Sequence, residues 1–205
     1  MKLKALGMLS VLCGVLSACS NSEQKTTGLV ENNKVKQSVI YGSDDRVDLY
    51  QEIDPVWVKR AASTAALFLS TGVQVRADGT GVDLNLKSYG ASQMLCPTEP
   101  FFSQKTGAFC SGSLIAPDII MTAGHCMNKK VSCATTKFVF DYALKNQNDD
   151  LSVTKEENVY SCKEVIHWEQ NYTNNSDFAL VRLDRPVVGR DPLRSEERRV
   201  GKECR

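Results

Sequence analysis

The stretch Phe109–Cys126, FCSGSLIAPDIIMTAGHC, decides the predicted fold more than any other part of the chain. The residues Cys110–Ile115 predict a strand, Pro117-Asp118 supplies a turn, and Ile119–Thr122 predicts a second strand. Two small residues then lead directly into His125. A histidine held at the end of a strand is well placed to act as a general base.

Two cysteines flank this hairpin, Cys110 near its start and Cys126 directly after the histidine. A disulfide between them would staple the two strands and fix the backbone that carries the histidine. In the chain-entropy model, closing a loop of this size stabilises a fold by roughly 3 kcal/mol. We therefore expect Cys110 and Cys126 to be bonded to each other.

The motif TAGHC, preceded by CSGSLI and PDIIMTA, resembles the histidine region of the trypsin/chymotrypsin family of serine endopeptidases. That family pairs its histidine with a buried aspartate that opens a short apolar strand, and Asp177 in NSDFALVRL, Asn175–Leu183, resembles this second motif. The resemblance implies that His125 is the catalytic base and that Asp177 accepts a hydrogen bond from its ring. It also implies a structural role for the second histidine, His167, because Val165–Tyr172 resembles the stretch that precedes the aspartate in the family.

The resemblance covers about residues 39–193 and implies an all-β fold. We expect the N-terminal six-stranded β-barrel of the two-barrel trypsin-like fold, with the second barrel missing from this sequence. Short strand-like runs between turn residues favour the same class. The stretch Val56–Val75, by contrast, cannot be assigned to helix or strand from its period alone.

The nucleophilic serine of the family lies in a Gly-Asp-Ser-Gly-Gly type motif after the aspartate, and no such motif occurs in this sequence. We therefore expect a chain truncated before the catalytic serine, a serine endopeptidase by family that does not itself hydrolyse peptides. Two alternatives stay open. One is a non-catalytic protease homologue that acts as a binding module, and the other is a structural lipoprotein whose barrel presents a surface to partners.

Residues 1–19 are typical of a targeting segment, with a positively charged start and a short apolar run. They end in Leu16–Cys19, LSAC, which resembles the bacterial lipobox and implies lipid attachment at Cys19; an ordinary cleavable secretory signal is the alternative. Residues 20–38 are polar and predict a tether or propeptide. We expect an exported bacterial protein, an outer-membrane or periplasmic lipoprotein or one released extracellularly by cleavage before Val39.

The chain contains eight cysteines, and export to an oxidising compartment favours disulfides among those that follow the targeting segment. Besides the pair that flanks the hairpin, Cys133 and Cys162 both lie between the two catalytic candidates, and we expect them to be bonded to each other. Cys96 is then left over, which predicts that its partner is missing from this sequence.

The composition excludes several classes of function. The formal net charge is +1, which gives no strong attraction to nucleic acid. No apolar run after residue 20 is long enough to span a bilayer, so membrane contact is expected only through an N-terminal lipid anchor. With two histidines and no Cys-x-x-Cys pair, neither a metal site nor a cofactor is expected. The expected partners are protein or peptide substrates.

The last twelve residues, Arg194–Arg205, read RSEERRVGKECR and are dense in charge and nearly devoid of apolar side chains. A solvated tail is one interpretation. The string also resembles the conceptual translation of a widely used sequencing-library adapter. Our hypothesis is that the genuine sequence ends near Leu193, and we leave Cys204 out of the disulfide framework.

Sequencing of the locus from re-amplified genomic DNA tests this hypothesis. We expect the reading frame to differ from RSEERRVGKECR after Leu193 and to continue into a Gly-Asp-Ser-Gly-Gly type motif. Genomic codons for RSEERRVGKECR would rule out the adapter origin. An in-frame continuation with a substituted serine would favour the non-catalytic homologue.

Overall fold

A computed structural model describes residues 45–127 and 133–194, and most of their regular structure is β-strand. These ranges contain two short α-helices, Pro55–Ala61 (α1) and Tyr89–Gln93 (α2). The strands are Thr64–Leu69 (β1), Val73–Val75 (β2), Val82–Leu84 (β3), Lys87–Ser88 (β4), Lys105–Thr106 (β5), Cys110–Ala116 (β6), Ile119–Thr122 (β7), Thr136–Val139 (β8), Val153–Thr154 (β9), Val159–Asn171 (β10) and Ser176–Leu183 (β11).

Several sequence-based expectations fall on other parts of the chain. The targeting segment 1–19 with Cys19, the segment 20–38, the cleavage before Val39 and residues 195–205 lie outside the described residues. Within the described ranges, no helix combines the length and the hydropathy that a membrane span requires.

Six antiparallel strands close into a barrel in the order β1-β6-β7-β11-β10-β8. Closure gives each of these six strands a hydrogen-bonded neighbour on both sides. β2, β3 and β9 form a separate three-stranded sheet, and β4 pairs with β5. The prediction of an all-β fold built on a six-stranded barrel is confirmed.

The interior of the barrel is filled by alternate residues of its strands. In β11, the apolar residues Ala179, Val181 and Leu183 are buried, while the residues between them are partly exposed. Leu114, Ile120 and Phe138 from the other strands join the same cluster. Each large apolar side chain buried in this way contributes about 1.5–3 kcal/mol, so the period-2 pattern fixes which face of each strand points inward.

The hairpin of β6 and β7 forms as its sequence predicts, with Pro117-Asp118 at the turn. Gly112 lies opposite Thr122, and a Cβ added to Gly112 would lie 2.5 Å from Cγ2 of Ile120, so the two strands approach closely there. The hydroxyl of Thr122 donates a 2.7 Å hydrogen bond to the carbonyl of Ser111. The end of β7, where the catalytic candidate follows, is therefore fixed to its neighbouring strand.

Val56–Val75 contains both a helix and strands, which explains why no single period describes it. Asp54 caps α1 by accepting a 2.8 Å hydrogen bond from the backbone N–H of Val56, and Pro55 occupies the first helical turn. β1 then begins at Thr64 and places Ala65 and Leu67 in the barrel core. A cap and an alternating run therefore divide the stretch.

Asp150 links the two-stranded sheet of β4 and β5 to the segment before β9. Its carboxylate accepts hydrogen bonds from the hydroxyl and backbone N–H of Ser152, at 2.8 and 3.1 Å, and from Nζ of Lys105 at 3.0 Å. The hydroxyl of Ser152, followed by Lys105 and the Ser152 N–H, lowers the pKa of Asp150 from 3.8 to about 2.

Because this pKa is lowered by folding, the stabilisation from Asp150 is complete above about pH 4 and is lost as the pH falls toward about 2. As the pH falls through that interval, the free energy of unfolding should decrease less in Asp150→Asn than in the unsubstituted protein. Urea denaturation at several pH values measures this. Lys105→Met, which removes one donor, should reduce the loss by a smaller amount. An unchanged pH slope in Asp150→Asn would contradict the assignment.

Candidate active site

His125 lies in the 3₁₀ turn Gly124–Met127, which one residue, Ala123, separates from the end of β7. The two residues that follow it, Cys126 and Met127, are buried in the barrel core. Cys126 is bonded to Cys110 of β6, the pairing expected from the sequence. The turn is therefore attached to the barrel by a covalent bond and by two buried side chains, and the imidazole projects from a fixed backbone.

Asp177 is the second residue of β11, which lies between β7 and β10 in the barrel. On one side, Ala179 of β11 pairs with Thr122 of β7, the strand that leads into the histidine turn. On the other side, Asp177 itself pairs with Gln170 of β10. The start of β11 therefore meets the end of β7 at one rim of the barrel.

The structure brings His125 and Asp177 into contact at two points. Nδ1 of the His125 ring lies 2.7 Å from Oδ2 of Asp177, and the backbone N–H of His125 donates a 2.8 Å hydrogen bond to Oδ1. A neutral imidazole that faces an ionised carboxylate donates from Nδ1, which leaves Nε2 as an acceptor. The pair can therefore remove a proton from a group placed at Nε2.

The ring of His125 is the main cause of a lowered pKa at Asp177, and the backbone N–H of His125 is the second, while partial burial opposes both. Because the lowered pKa keeps Asp177 ionised to lower pH, the carboxylate retains the charge that orients the ring and stabilises an imidazolium. The chemistry available here is general acid–base catalysis.

A family model described as "Trypsin" matches residues 91–203, more than half of the 205-residue chain, and includes both His125 and Asp177. The chain belongs to the trypsin family. This trypsin-family chain contains the histidine and the aspartate that the sequence motifs indicated, and it places them at one barrel rim.

Two curated relatives are similar to parts of this trypsin-family chain. "Chymotrypsin-like elastase family member 3A" of Homo sapiens is 30% identical over 88 residues, which are 40% of this chain and 31% of the relative. "Coagulation factor XII" of Cavia porcellus is 35% identical over 81 residues, which are 40% of this chain and 13% of the relative. The chain therefore spans less than a third of the length of either relative.

Among solved structures, one titled "human heparin binding protein" resembles the chain with a TM-score of 0.36 and 17% identity, covering 72% of this chain and 48% of the other.

Asp177 was expected to be buried, but the structure leaves it and His125 partly exposed to solvent. The side chain of Asp177 is 40% exposed and that of His125 is 56% exposed. The physical reason is their position at the rim, where β7 ends and β11 begins, so the barrel covers each side chain from one side only. Hydrogen bonds with His125, rather than burial, therefore set the charge state of Asp177.

The other cysteines follow the sequence analysis in one case and contradict it in another. Cys133 and Cys162 are bonded to each other, as expected. Cys96 is also disulfide-bonded, so the expectation that it is left over is wrong. Pairing depends on which cysteines the fold brings together, and counting cysteines along the sequence does not provide that information.

Three potential metal-ligating side chains lie close together at the site. Ligand atoms of Cys110, His125 and Cys126 are within 4.8 Å of one another. The two sulfurs, however, are bonded to each other. A disulfide supplies no thiolate, and the thiolate is the form of cysteine that binds metal, so the cluster is better explained as the support of the histidine turn.

Two further residues belong to the site although the sequence motifs did not indicate them, Trp168 and Gly124. The indole Nε1–H of Trp168 donates a short hydrogen bond to the carbonyl of Gly124. The available signal was the sequence position of Trp168, directly after His167, but sequence alone does not say which way its ring points. His167 itself stacks against Phe178, with ring centroids 5.2 Å apart.

Gly124 is required by the close approach of β10 to the histidine turn. A Cβ at this position would collide with the backbone carbonyl of Glu169 and would lie 3.0 Å from Oδ1 of Asp177. Backbone atoms of a paired strand cannot move away cheaply. The absence of a side chain therefore lets Asp177 reach the His125 backbone.

We expect Gly124→Ala to displace the histidine turn and to destabilise the fold by about 1–3 kcal/mol, the usual cost of overpacking. Urea denaturation measures the stability, and the NMR shift of the His125 amide proton reports its bond to Asp177. Gly72→Ala is the matched control, because its nearest neighbour would be Cβ of Asn85 at 3.9 Å. Equal effects of the two substitutions would contradict this account.

Proposed function

We propose that the complete protein is a serine endopeptidase in which His125 acts as general base and then general acid. Asp177 orients the ring through Nδ1, fixes the tautomer and stabilises the imidazolium. The observation that carries this proposal is the two-point contact, 2.7 Å from ring to carboxylate and 2.8 Å from backbone to carboxylate. Membership of the trypsin family supports it.

In the proposed reaction, the hydroxyl of a serine supplied from outside this sequence attacks the carbonyl carbon of a peptide bond. Nε2 of His125 takes the hydroxyl proton as the bond forms, and the imidazolium then gives a proton to the leaving amine. Water repeats the same sequence on the acyl-enzyme and releases the serine. Because the 205-residue sequence has no Gly-Asp-Ser-Gly-Gly type motif, we propose that this chain alone does not hydrolyse peptides.

The proposed substrates are proteins or peptides that reach the barrel rim, where the pair is half exposed. We propose further that the protein works outside the cytoplasm, anchored through lipid on Cys19. Two observations support export: the charged start and apolar run of residues 1–19, and the disulfides Cys110–Cys126 and Cys133–Cys162, which persist in oxidising compartments.

A serine-directed fluorophosphonate tests the function on the complete gene product. We expect the unsubstituted enzyme to be labelled and to cleave a protein substrate, and we expect His125→Ala to reduce both rates by a factor on the order of 10⁴ or more. Asp177→Asn should reduce kcat by a factor of about 10⁴, because it permits the wrong tautomer.

His167→Ala is the matched control, since it removes the other histidine of the sequence, whose ring stacks on Phe178 outside the proposed pair. It should leave both rates within about threefold of the original, a difference of less than 1 kcal/mol in barrier. A complete protein that neither labels nor cleaves would overturn the enzyme proposal and would favour the binding module.

A further inference from the structure

One peptide group at the site is hydrogen-bonded both at its carbonyl and at its N–H. The peptide between Gly124 and His125 accepts a hydrogen bond at its carbonyl from Nε1–H of Trp168. Its N–H, which belongs to His125, donates to Oδ1 of Asp177 at 2.8 Å. In a trans peptide the C=O and N–H point in opposite directions, so the two side chains contact it from opposite edges.

We propose that Trp168 is a positioning residue of the catalytic pair, whose indole N–H fixes the Gly124 carbonyl and thereby presents the His125 N–H to Asp177. This inference rests on the proposed function, because the histidine whose backbone is fixed is the proposed base. Trp168 acts through the main chain, so it need not touch the substrate.

The strand register explains how two distant residues act on one peptide group. Trp168 of β10 pairs with Ala179 of β11, and two residues along, Gln170 pairs with Asp177. Trp168 and Asp177 therefore lie on neighbouring strands beside the same turn. Because Gly124 has no side chain, β10 can approach the turn closely enough for the indole to reach its carbonyl.

A hydrogen bond to the carbonyl makes the N–H of the same peptide a better donor, because hydrogen bonds in series polarise one another. The N–H of His125 should therefore bind the ionised Asp177 more strongly while the indole bond is present. This agrees with the lowered pKa of Asp177, for which the backbone N–H of His125 is the second-largest cause.

The effect of the indole N–H can be tested separately from the effect of the indole's shape, because this chain contains only two tryptophans, Trp57 and Trp168. In a Trp57→Phe background, the remaining tryptophan is replaced biosynthetically by 3-benzothienylalanine, which has sulfur in place of the N–H and nearly the same shape. The matched control is Trp57→Phe with Trp168 retained. Trp168→Phe is the second variant, which preserves an aromatic ring without a donor.

Amide hydrogen exchange of the full 205-residue chain provides the first measurement. We expect the His125 N–H to exchange about 3- to 10-fold faster in both Trp168 variants than in the control, the effect of losing one ordinary hydrogen bond. Buried amides such as those of Val181 and Phe138 should exchange at the control rate. An unchanged His125 rate, or an equal increase throughout the barrel, would overturn the positioning role.

The carboxyl carbon of Asp177 gives a second readout, since its NMR shift follows ionisation. We expect its titration midpoint to rise in the benzothienylalanine variant, because a weaker N–H bond stabilises the carboxylate less. A midpoint equal to that of the control would also overturn the inference.

Neither measurement depends on catalysis, so failure of the inference can be distinguished from failure of the proposed function. In the complete enzyme, Trp168→Phe should lower kcat for a peptide substrate by about 3- to 10-fold and leave KM unchanged, as expected for an interaction that orients the base. A lower kcat accompanied by a proportionate loss of folded protein would count against positioning.

Discussion

The contact of Asp177 with both the ring and the backbone of His125 is the interaction on which the proposed acid–base chemistry of this structure depends. Each carboxylate oxygen has its own partner, one on the imidazole and one on the main chain. Two contacts define an orientation where one would allow rotation. The ring is thus set relative to the barrel itself and not merely attracted to a nearby charge.

A closed barrel is a suitable frame for this contact. The turn that carries His125 follows β7, and Asp177 begins β11, which is the hydrogen-bonded neighbour of β7. A shift of one residue in the register of these strands would turn Asp177 toward the opposite face and would expose Ala179 and Val181. Burial of those apolar residues therefore maintains the alignment of a half-exposed polar pair.

The histidine turn is also supported from the side of β10. The disulfide Cys110–Cys126 attaches the turn to β6, and the backbone of Glu169 leaves room only for a glycine at position 124. Trp168 of the same strand bonds to the carbonyl of that glycine. Two strands of the barrel, β6 and β10, therefore restrain one short turn through three contacts, which is the kind of preorganisation that general acid–base catalysis needs.

The sequence by itself determined the features that local patterns control. Short strand-like runs between turn residues indicated β6, β7 and β11, the turn at Pro117-Asp118 followed from its composition, and the motifs around His125 and Asp177 indicated the family. The division of Val56–Val75 was not predictable from period, because a capped helix and a strand share that stretch.

Only the tertiary structure decided the exposure of Asp177, the disulfide bonding of Cys96 and the contact of Trp168 with Gly124. Trp168 and Gly124 are 44 positions apart, and His125 and Asp177 are 52 apart. Local propensity acts over a few residues, whereas contacts at these separations exist only once the barrel has closed in one register. Burial of a rim residue likewise depends on which other elements cover the rim, and the local sequence pattern does not specify those elements.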